Sequence, residues 1–138
     1  MRTSRLREIM DYFPEEPFRC RDGCGLDAFD STLRSILNQA REKFGKPLTI
    51  NCGCRCKKHN AEVGGAEHSA HLPWLDGLCH AVDIKVLNDG TRSRLYKIFW
   101  DLGLRRFEVS GLHLHVDNAA WLPSPILASV NFRGQNET

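Results

Sequence analysis

Two histidines and an aspartate near the end of the chain are residues whose type and spacing suggest chemistry. In the run GLHLHVD, His113 and His115 alternate, and Asp117 follows two residues later. Alternate residues of a strand point to the same face, so we expect these three side chains to share one face while the intervening apolar residues face the core. The alternative is that the histidines only occupy the wet face of a strand.

Asp83 lies in the apolar run AVDIKV, where a carboxylate is costly to bury unless a cation or hydrogen-bond donors meet it. A metal ion is one such partner, and an exposed place on an edge strand is the alternative. Three protein ligands drawn from His and Asp, with a fourth position left to water, are typical of a catalytic zinc site. His71, Asp83 and His115 fit that description, and we predict that they bind Zn²⁺. Catalysis would also need a proton-transferring group and an oxyanion-binding group.

Six cysteines are a high number for 138 residues. The N-terminus shows no signal peptide, and no stretch approaches the roughly 20 apolar residues of a membrane span, so we expect metal ligands or buried thiols more often than disulfides. Their spacing differs from the CxxC pairs of a zinc ribbon. Structural thiols, a second metal site and disulfides all remain open. The cysteines are Cys20 and Cys24, then Cys52, Cys54 and Cys56, and finally Cys79 alone.

The composition is that of a single domain over residues 1–138, because 41% of the residues are hydrophobic. The formal net charge of +2 comes from nearly balanced acids and bases. Nothing therefore indicates the electropositive surface that nucleic-acid binding usually needs. We expect neither a nucleic-acid partner nor a transmembrane segment.

Apolar spacing predicts two main helices, at residues 26–44 and 91–102. Asp27 or Asp30 would cap the start of the first helix, and Gly45 its end. Helices and strands mix without regular βαβ alternation, which predicts an α+β fold with a small, mostly antiparallel sheet flanked by helices. The other predicted elements are a short helix at 4–12 within a peripheral segment 1–17, a helix at 57–63, strands at 47–52, 80–86, 105–109 and 112–116, and a flexible tail at 133–138.

Three ordered motifs resemble those of the zinc D,D-peptidases of bacterial cell-wall metabolism. That family includes D-alanyl-D-alanine carboxypeptidases, vancomycin-resistance dipeptidases and phage endolysins, and hedgehog signalling domains share its fold. The resemblance covers residues 18–117. The motifs are KPLTINCGCRCKKHNAEVGG, which is similar to the family's strand-plus-helix block; SAH at 69–71 with AVD at 81–83, which is similar to its first two metal ligands; and HVD at 115–117, which is similar to the third.

The resemblance implies roles for individual residues. His71, Asp83 and His115 would be the zinc ligands, as their residue types also suggest. Arg55 would bind the substrate carbonyl or the developing oxyanion, a task suited to a planar cation. Ser69 would orient the loop that carries the first ligand, or would simply cap that loop.

Three departures from the family pattern bear on activity. A longer stretch, LPWLDGLCHAV, separates the first ligand histidine from the aspartate, and cysteines replace the serine and the aromatic residue of the family's SGYR segment. Relatives often place an acidic general base three residues before the last histidine, where this chain has Leu112. His113 on the ligand strand and Glu108 on the preceding strand are equal candidates for that role, with Asp117 third.

The sequence thus predicts a zinc metallopeptidase that cuts an amide bond in peptidoglycan stem peptides, as a D,D-carboxypeptidase or as an L,D- or D,D-endopeptidase. One alternative is an inactive, zinc-containing peptidoglycan-binding module. Another is a redox or structural zinc protein whose function lies in the cysteines. We expect a monomer that stays in the cytoplasm or is released to the cell wall as a phage lysin is.

Overall fold

Three helices and five strands make up the described part of the chain, residues 10–73 and 76–129 of a computed structural model. The helices are α1 (Ser31–Phe44), α2 (Lys57–Glu62) and α3 (Asp89–Asp101). The strands are β1 (Ile50–Cys52), β2 (Ala81–Lys85), β3 (Arg106–Ser110), β4 (His113–Asp117) and β5 (Ile126–Ser129).

All five strands form one sheet in the order β1-β2-β4-β3-β5. Every neighbouring pair is antiparallel except β3 and β5, which are parallel. The prediction of an α+β fold with a mostly antiparallel sheet is therefore confirmed. None of the helices in the described ranges combines the length and apolar character that a membrane span requires.

The alternating side chains of the central strands separate a core face from a polar face. Val82 and Ile84 of β2 and Leu114 and Val116 of β4 are fully buried, and they pack against apolar residues of α1 and α3. Because successive side chains of a strand point to opposite faces, the residues between them lie on the side away from these two helices. The helices thus cover one face of the sheet and leave the other to a cleft.

Both ends of helix α1 are capped, the first by the side chain of Asp30 and the last by the backbone conformation of Gly45. Asp30 Oδ2 accepts a hydrogen bond from Leu33 N at 2.9 Å, and Gly45 ends the helix in the left-handed region at φ 77°. These caps are as predicted, but the predicted earlier start is wrong. The preceding residues are extended instead, because Asp30 N–H donates to the Cys79 carbonyl and Cys79 N–H donates to the Ala28 carbonyl.

Helix α3, in contrast to α1, begins two residues earlier than predicted. The side chain of Asn88 accepts a hydrogen bond from Thr91 N at 2.8 Å, so Asn88 is the N-cap and Thr91 lies inside the first turn. Leu95 and Phe99 are the buried residues of this helix, as their spacing predicts. The sequence does not reveal this earlier start, because Asn88 directly follows an apolar run and the first turn of the helix contains no apolar residue at helical spacing.

Strands β1 to β4 lie at the four predicted positions: β1 starts three residues later and ends as predicted, and the ends of the other three strands differ by one residue. Strand β5 was not predicted. It lies at the edge of the sheet beside β3, directly after Pro123 and Pro125. An edge strand tolerates prolines at its start, because the missing N–H groups are not needed for the sheet.

Two predictions concern the ends of the chain. Of the helix predicted at 4–12, only residues 10–12 belong to the described part, and these three are not helical. The remainder of that helix and the tail at 133–138 lie outside the described residues.

Candidate metal centre

A row of polar side chains crosses the sheet on its cleft face. Cys52 of β1 pairs in register with Asp83 of β2, and Asp83 pairs with His115 of β4. On the far side of β4, Glu108 of β3 pairs with His115. Directly paired residues lie side by side on one face, so these four side chains from four adjacent strands meet across the sheet.

His71 joins this row from the loop before β2, and it is 2% exposed. Its Nδ1 lies 2.6 Å from the Gly53 carbonyl oxygen, which accepts only if Nδ1 carries the proton. The lone pair then belongs to Nε2. Among the described residues, Nε2 is buried and has no hydrogen-bond partner, although it lies 3.3 Å from Asp83 Oδ1. A buried ring nitrogen without a hydrogen bond, 3.3 Å from a carboxylate oxygen, is a position where a metal ion could replace a proton.

Ser69 supports the loop that carries His71. Its Oγ accepts a hydrogen bond from His71 N at 3.1 Å, and the His71 carbonyl accepts from Arg55 N at 2.9 Å. Ser69 therefore caps its loop and, by doing so, positions the backbone of the histidine.

His115 is held between two carboxylates. Its Nδ1 lies 2.9 Å from Asp83 Oδ1 and its Nε2 lies 2.7 Å from Asp117 Oδ2. Asp117 is 1% exposed and also accepts from Arg106 Nε at 2.7 Å and from Ala119 N at 3.1 Å. With Nε2 of His115 donating to this fixed carboxylate, Nδ1 is the nitrogen left to bind a metal beside Asp83. These contacts favour a positioning role for Asp117 over proton transfer.

The distances from Asp83 to the two histidines, and the types of the three donors, suit a zinc ion, whereas the described group whose ligand atoms all lie within 4.8 Å of one another contains Cys52, His71 and Asp83 without His115. Donors about 2.0–2.1 Å from a tetrahedral ion lie about 3.3 Å apart. The contacts of Asp83 Oδ1 with His71 Nε2, at 3.3 Å, and with His115 Nδ1, at 2.9 Å, are close to that value. Two imidazoles and one carboxylate are also the donor set of a catalytic rather than a structural zinc site.

Electrostatics within the group favour a cation. Burial opposes ionisation of Asp83, yet the neighbouring His71 and His115 hold the pKa of that carboxyl well below its ordinary value. Burial likewise opposes protonation of His71, but the charges of Asp83 and Cys52 raise the pKa of His71 to about 9. In the metal-free protein a proton on His71 therefore takes the place beside Asp83 that a metal ion would occupy, and metal binding would release that proton.

Cys52 is the member of this group that sequence reasoning missed as a ligand. The ligand-type atoms of Cys52, His71 and Asp83 all lie within 4.8 Å of one another. Burial opposes its thiolate, yet the positive charges of His71 and Arg55 lower the pKa of Cys52 to about 7. The sequence places Cys52 at the end of a predicted strand. It does not show that this strand lies beside β2, so the position of Cys52 opposite Asp83 could not be predicted.

Arg55 is fixed beside the metal group. Its Nη1 donates to Asn60 Oδ1 at 2.8 Å, its Nε donates to Cys52 Sγ at 3.3 Å, and its Nη2 lies 3.8 Å from Asp83 Oδ2. Gly65 makes room for this arrangement, since a Cβ there would lie 2.4 Å from Arg55 Nη1 and 2.1 Å from Asn60 Oδ1. The guanidinium is therefore held in one place at the edge of the cleft.

The cleft above the row has a volume of about 910 Å³, and Glu108 and His113 both line it. Glu108 is the direct neighbour of His115 across the strand pair, where Cβ atoms lie about 4.5–5.5 Å apart. His113 lies two residues along the same strand, about 7 Å away. Leu112, at the position of the family's acidic residue, is 57% exposed at the cleft and cannot transfer a proton.

These observations describe a candidate single-metal site, open on one side to a cleft, on a small α+β domain. The family model described as Peptidase M15 matches residues 11–117, a span that contains all three predicted ligands. This chain belongs to the Peptidase M15 family, and it is a metallopeptidase by that membership. Comparison with curated protein sequences gives no match.

Proposed function

We propose that this protein is a zinc peptidase that hydrolyses an amide bond in peptidoglycan stem peptides, as a carboxypeptidase or an endopeptidase. The observation that carries the proposal is the buried Nε2 of His71, which has no hydrogen bond of its own and lies 3.3 Å from Asp83 Oδ1, the same oxygen that His115 Nδ1 approaches to 2.9 Å. Membership of the M15 family supports a peptide substrate, and the resemblance of the motifs supports the choice of peptidoglycan.

His71, Asp83 and His115 would hold the zinc ion. When bound there, zinc supplies Lewis-acid chemistry, since it polarises a peptide carbonyl and makes water more acidic. The protein keeps the two imidazoles in the required tautomers, because Gly53 accepts from one ring and Asp117 from the other. Arg106 in turn fixes Asp117 through a buried ion pair at 2.7 Å.

Arg55 binds the carbonyl oxygen of the substrate and stabilises the negative charge that develops on it. Three contacts immobilise its guanidinium, so no reorganisation is needed when the charge appears. Its Nη2 lies 3.8 Å from Asp83 Oδ2, so this cation borders the proposed ligand group.

Glu108 moves the proton between the attacking water and the leaving amine. It lines the cleft and pairs with His115 directly, whereas His113 is one pleat further from the ligand. A carboxylate in this place also performs the role that Leu112 cannot. The two residues that the sequence left equal are thus ranked by the register of β3 against β4.

A second function is favoured by Cys52. If its thiolate takes the fourth position on the metal, the site closes and the protein becomes a zinc-containing peptidoglycan-binding module without catalysis. The position of Cys52 Sγ within 4.8 Å of the His71 and Asp83 ligand atoms supports this alternative. Wild-type activity separates the two functions, because the peptidase cleaves stem peptides, whereas the closed module cleaves none as long as the Cys52 thiolate occupies the fourth position.

The proposed peptidase meets its substrate outside the cytoplasmic membrane, and we propose that it acts there as a monomer released in the manner of a phage lysin. The test is cleavage of defined stem peptides and cross-linked muropeptides, followed by mass spectrometry. A carboxypeptidase releases a terminal D-alanine, and an endopeptidase produces a new internal amine. We expect cleavage by the wild type and by the surface variant Glu15→Gln, and none by His71→Ala. Zinc-loaded wild type that cleaves neither substrate would contradict the proposal.

A further inference from the structure

A second group of ligand-type side chains lies outside the cleft. Cys20, Asp22 and Cys24 come from the loop before α1, and Cys56 comes from the segment before α2. Their sulfur and carboxylate atoms all lie within 4.8 Å of one another. None of the four residues lines the cleft, so this group is separate from the row of polar residues on the sheet.

The distances within the group match those around a zinc ion. Cys20 Sγ lies 3.2 Å from Asp22 Oδ1, and Cys56 Sγ lies 3.0 Å from Asp22 Oδ2. Sulfur at about 2.3 Å and oxygen at about 2.0–2.2 Å from a tetrahedral ion would lie about 3.5 Å apart. Only small movements separate this arrangement from a coordinated one.

Backbone N–H groups already point at the donor atoms. Cys56 N lies 3.5 Å from Cys20 Sγ, His59 N lies 3.4 Å from Cys56 Sγ, and Cys24 N donates to Asp22 Oδ1 at 2.9 Å. Such N–H groups stabilise the thiolates and carboxylates that bind metals, but burial raises the pKa of Cys20 and the contact with Asp22 raises the pKa of Cys24, so metal binding would have to displace their thiol protons. The loop that presents them turns through Gly23, in the left-handed region at φ 80°, where a side chain would be strained.

Disulfide bonds do not account for this group. All six cysteines lie in the described part of the chain, and all six are free thiols. Three of them share the group, so one disulfide would leave the third thiol unpaired. The two remaining buried cysteines, Cys54 and Cys79, pack together as part of an apolar cluster.

We propose that Cys20, Asp22, Cys24 and Cys56 bind a structural zinc ion. Three thiolates and one carboxylate form a closed, sulfur-rich set, and soft thiolate ligands in tetrahedral geometry select zinc among the common divalent ions. The site contrasts with the nitrogen and oxygen ligands of the cleft, and its existence does not depend on catalysis there.

The ion joins two segments that support the cleft. Phe18 accepts a hydrogen bond from Cys54 N at 2.8 Å, and a Cβ at Gly53 would lie 2.7 Å from Phe18 Cα. The loop before α1 therefore lies directly against the segment whose Gly53 carbonyl orients His71. A metal ion that joins Cys20 to Cys56 would hold the loop before α1 against Gly53. It would thereby stabilise, indirectly, the Gly53 carbonyl that orients His71.

The test is the zinc content of the purified chain, measured by elemental analysis in reducing buffer. We expect two zinc ions in the wild type, one in Cys24→Ser, one in His71→Ala and none in the double variant. Cys79→Ser is the matched control, because it removes a thiol outside the group and should leave both ions. A single zinc in the wild type that His71→Ala removes would overturn the proposal.

Because a cysteine variant can also fail to fold, X-ray absorption on the folded His71→Ala protein provides a second measurement. We expect its one zinc to have mainly sulfur neighbours at about 2.3 Å. Only nitrogen and oxygen neighbours, or a disulfide between any two of the three cysteines in a mass spectrum, would contradict the structural site. Two zinc ions without peptide cleavage would instead contradict the proposed peptidase alone.

Discussion

The two candidate metal centres of this domain differ in ligands, burial and surroundings. The cleft group consists of His71, Asp83 and His115, with His71 almost fully buried, His115 partly buried and one side open to a cavity. The cysteine group lies nearer the surface, with Asp22 and Cys24 exposed. Nitrogen and oxygen ligands with an open side suit catalysis, whereas a closed set of thiolates suits a structural role. In this account the two sites of one small domain have different ligands because one would be catalytic and the other structural.

Glu108→Gln is expected to have the largest effect on activity, and it should do so without changing either metal site. The amide keeps the size of the side chain but cannot transfer the proton, so kcat should fall by about 10²- to 10⁴-fold. Zinc content should stay unchanged at both centres. The measurement is steady-state peptide cleavage, with His113→Gln as the comparison. A larger loss in His113→Gln than in Glu108→Gln would reverse the assignment of the two residues.

Arg55→Lys should produce the next largest effect. Lysine keeps the positive charge but cannot maintain the contacts to Asn60, Cys52 and Asp83 at once. We expect kcat to fall by about 10²- to 10³-fold, the usual cost of removing one oxyanion-binding donor. If only KM rises while kcat stays at the wild-type value, Arg55 binds the ground state and not the developing oxyanion.

Asp117→Asn tests how the cleft centre is oriented. Asparagine fits the same buried place but no longer supplies a carboxylate to His115 Nε2, so zinc affinity at the cleft should fall by about 10- to 100-fold. Competition with a chelator measures that affinity. The cysteine group is expected to keep its zinc, and equal weakening at both centres would indicate a general loss of structure instead.

The apolar periodicity and the ordered motifs predicted helix α1, four strands and the approximate position of the site. They could not predict strand β5, because a short edge strand after two prolines carries no alternation that distinguishes it from a loop. They also could not rank Glu108 above His113, since that ranking depends on the register of β3 against β4. The grouping of Cys56 with Cys20 required the packing of two segments that are far apart in the sequence.

The smallest expected effect concerns stability and belongs to neither centre. His80 is buried, its Nε2 lies 2.6 Å from Asp76 Oδ2, and its Nδ1 donates a hydrogen bond at 2.8 Å to Asn118 Oδ1. Burial opposes its protonation, but the contacts with Asn118 and Asp76 raise the pKa of His80 above its ordinary value. The protonated form therefore stabilises the fold fully below about pH 6.5, the ordinary histidine value, and this contribution is lost as pH rises through the raised pKa.

Denaturant unfolding of the wild type and of His80→Gln at several pH values measures this contribution. The difference in the free energy of unfolding between the two proteins should be largest at the acidic end and should shrink as pH increases. A difference that is constant across the range would mean that His80 stabilises the fold by packing alone.

The most direct test of the central claim is a crystal structure of the zinc-loaded protein with anomalous scattering recorded at the zinc edge. The account predicts a peak in the cleft, bound by His71 Nε2, Asp83 and His115 Nδ1, with His115 Nε2 still on Asp117. A fully loaded crystal with no zinc at these three side chains would contradict the assignment of this cleft as the metallopeptidase centre.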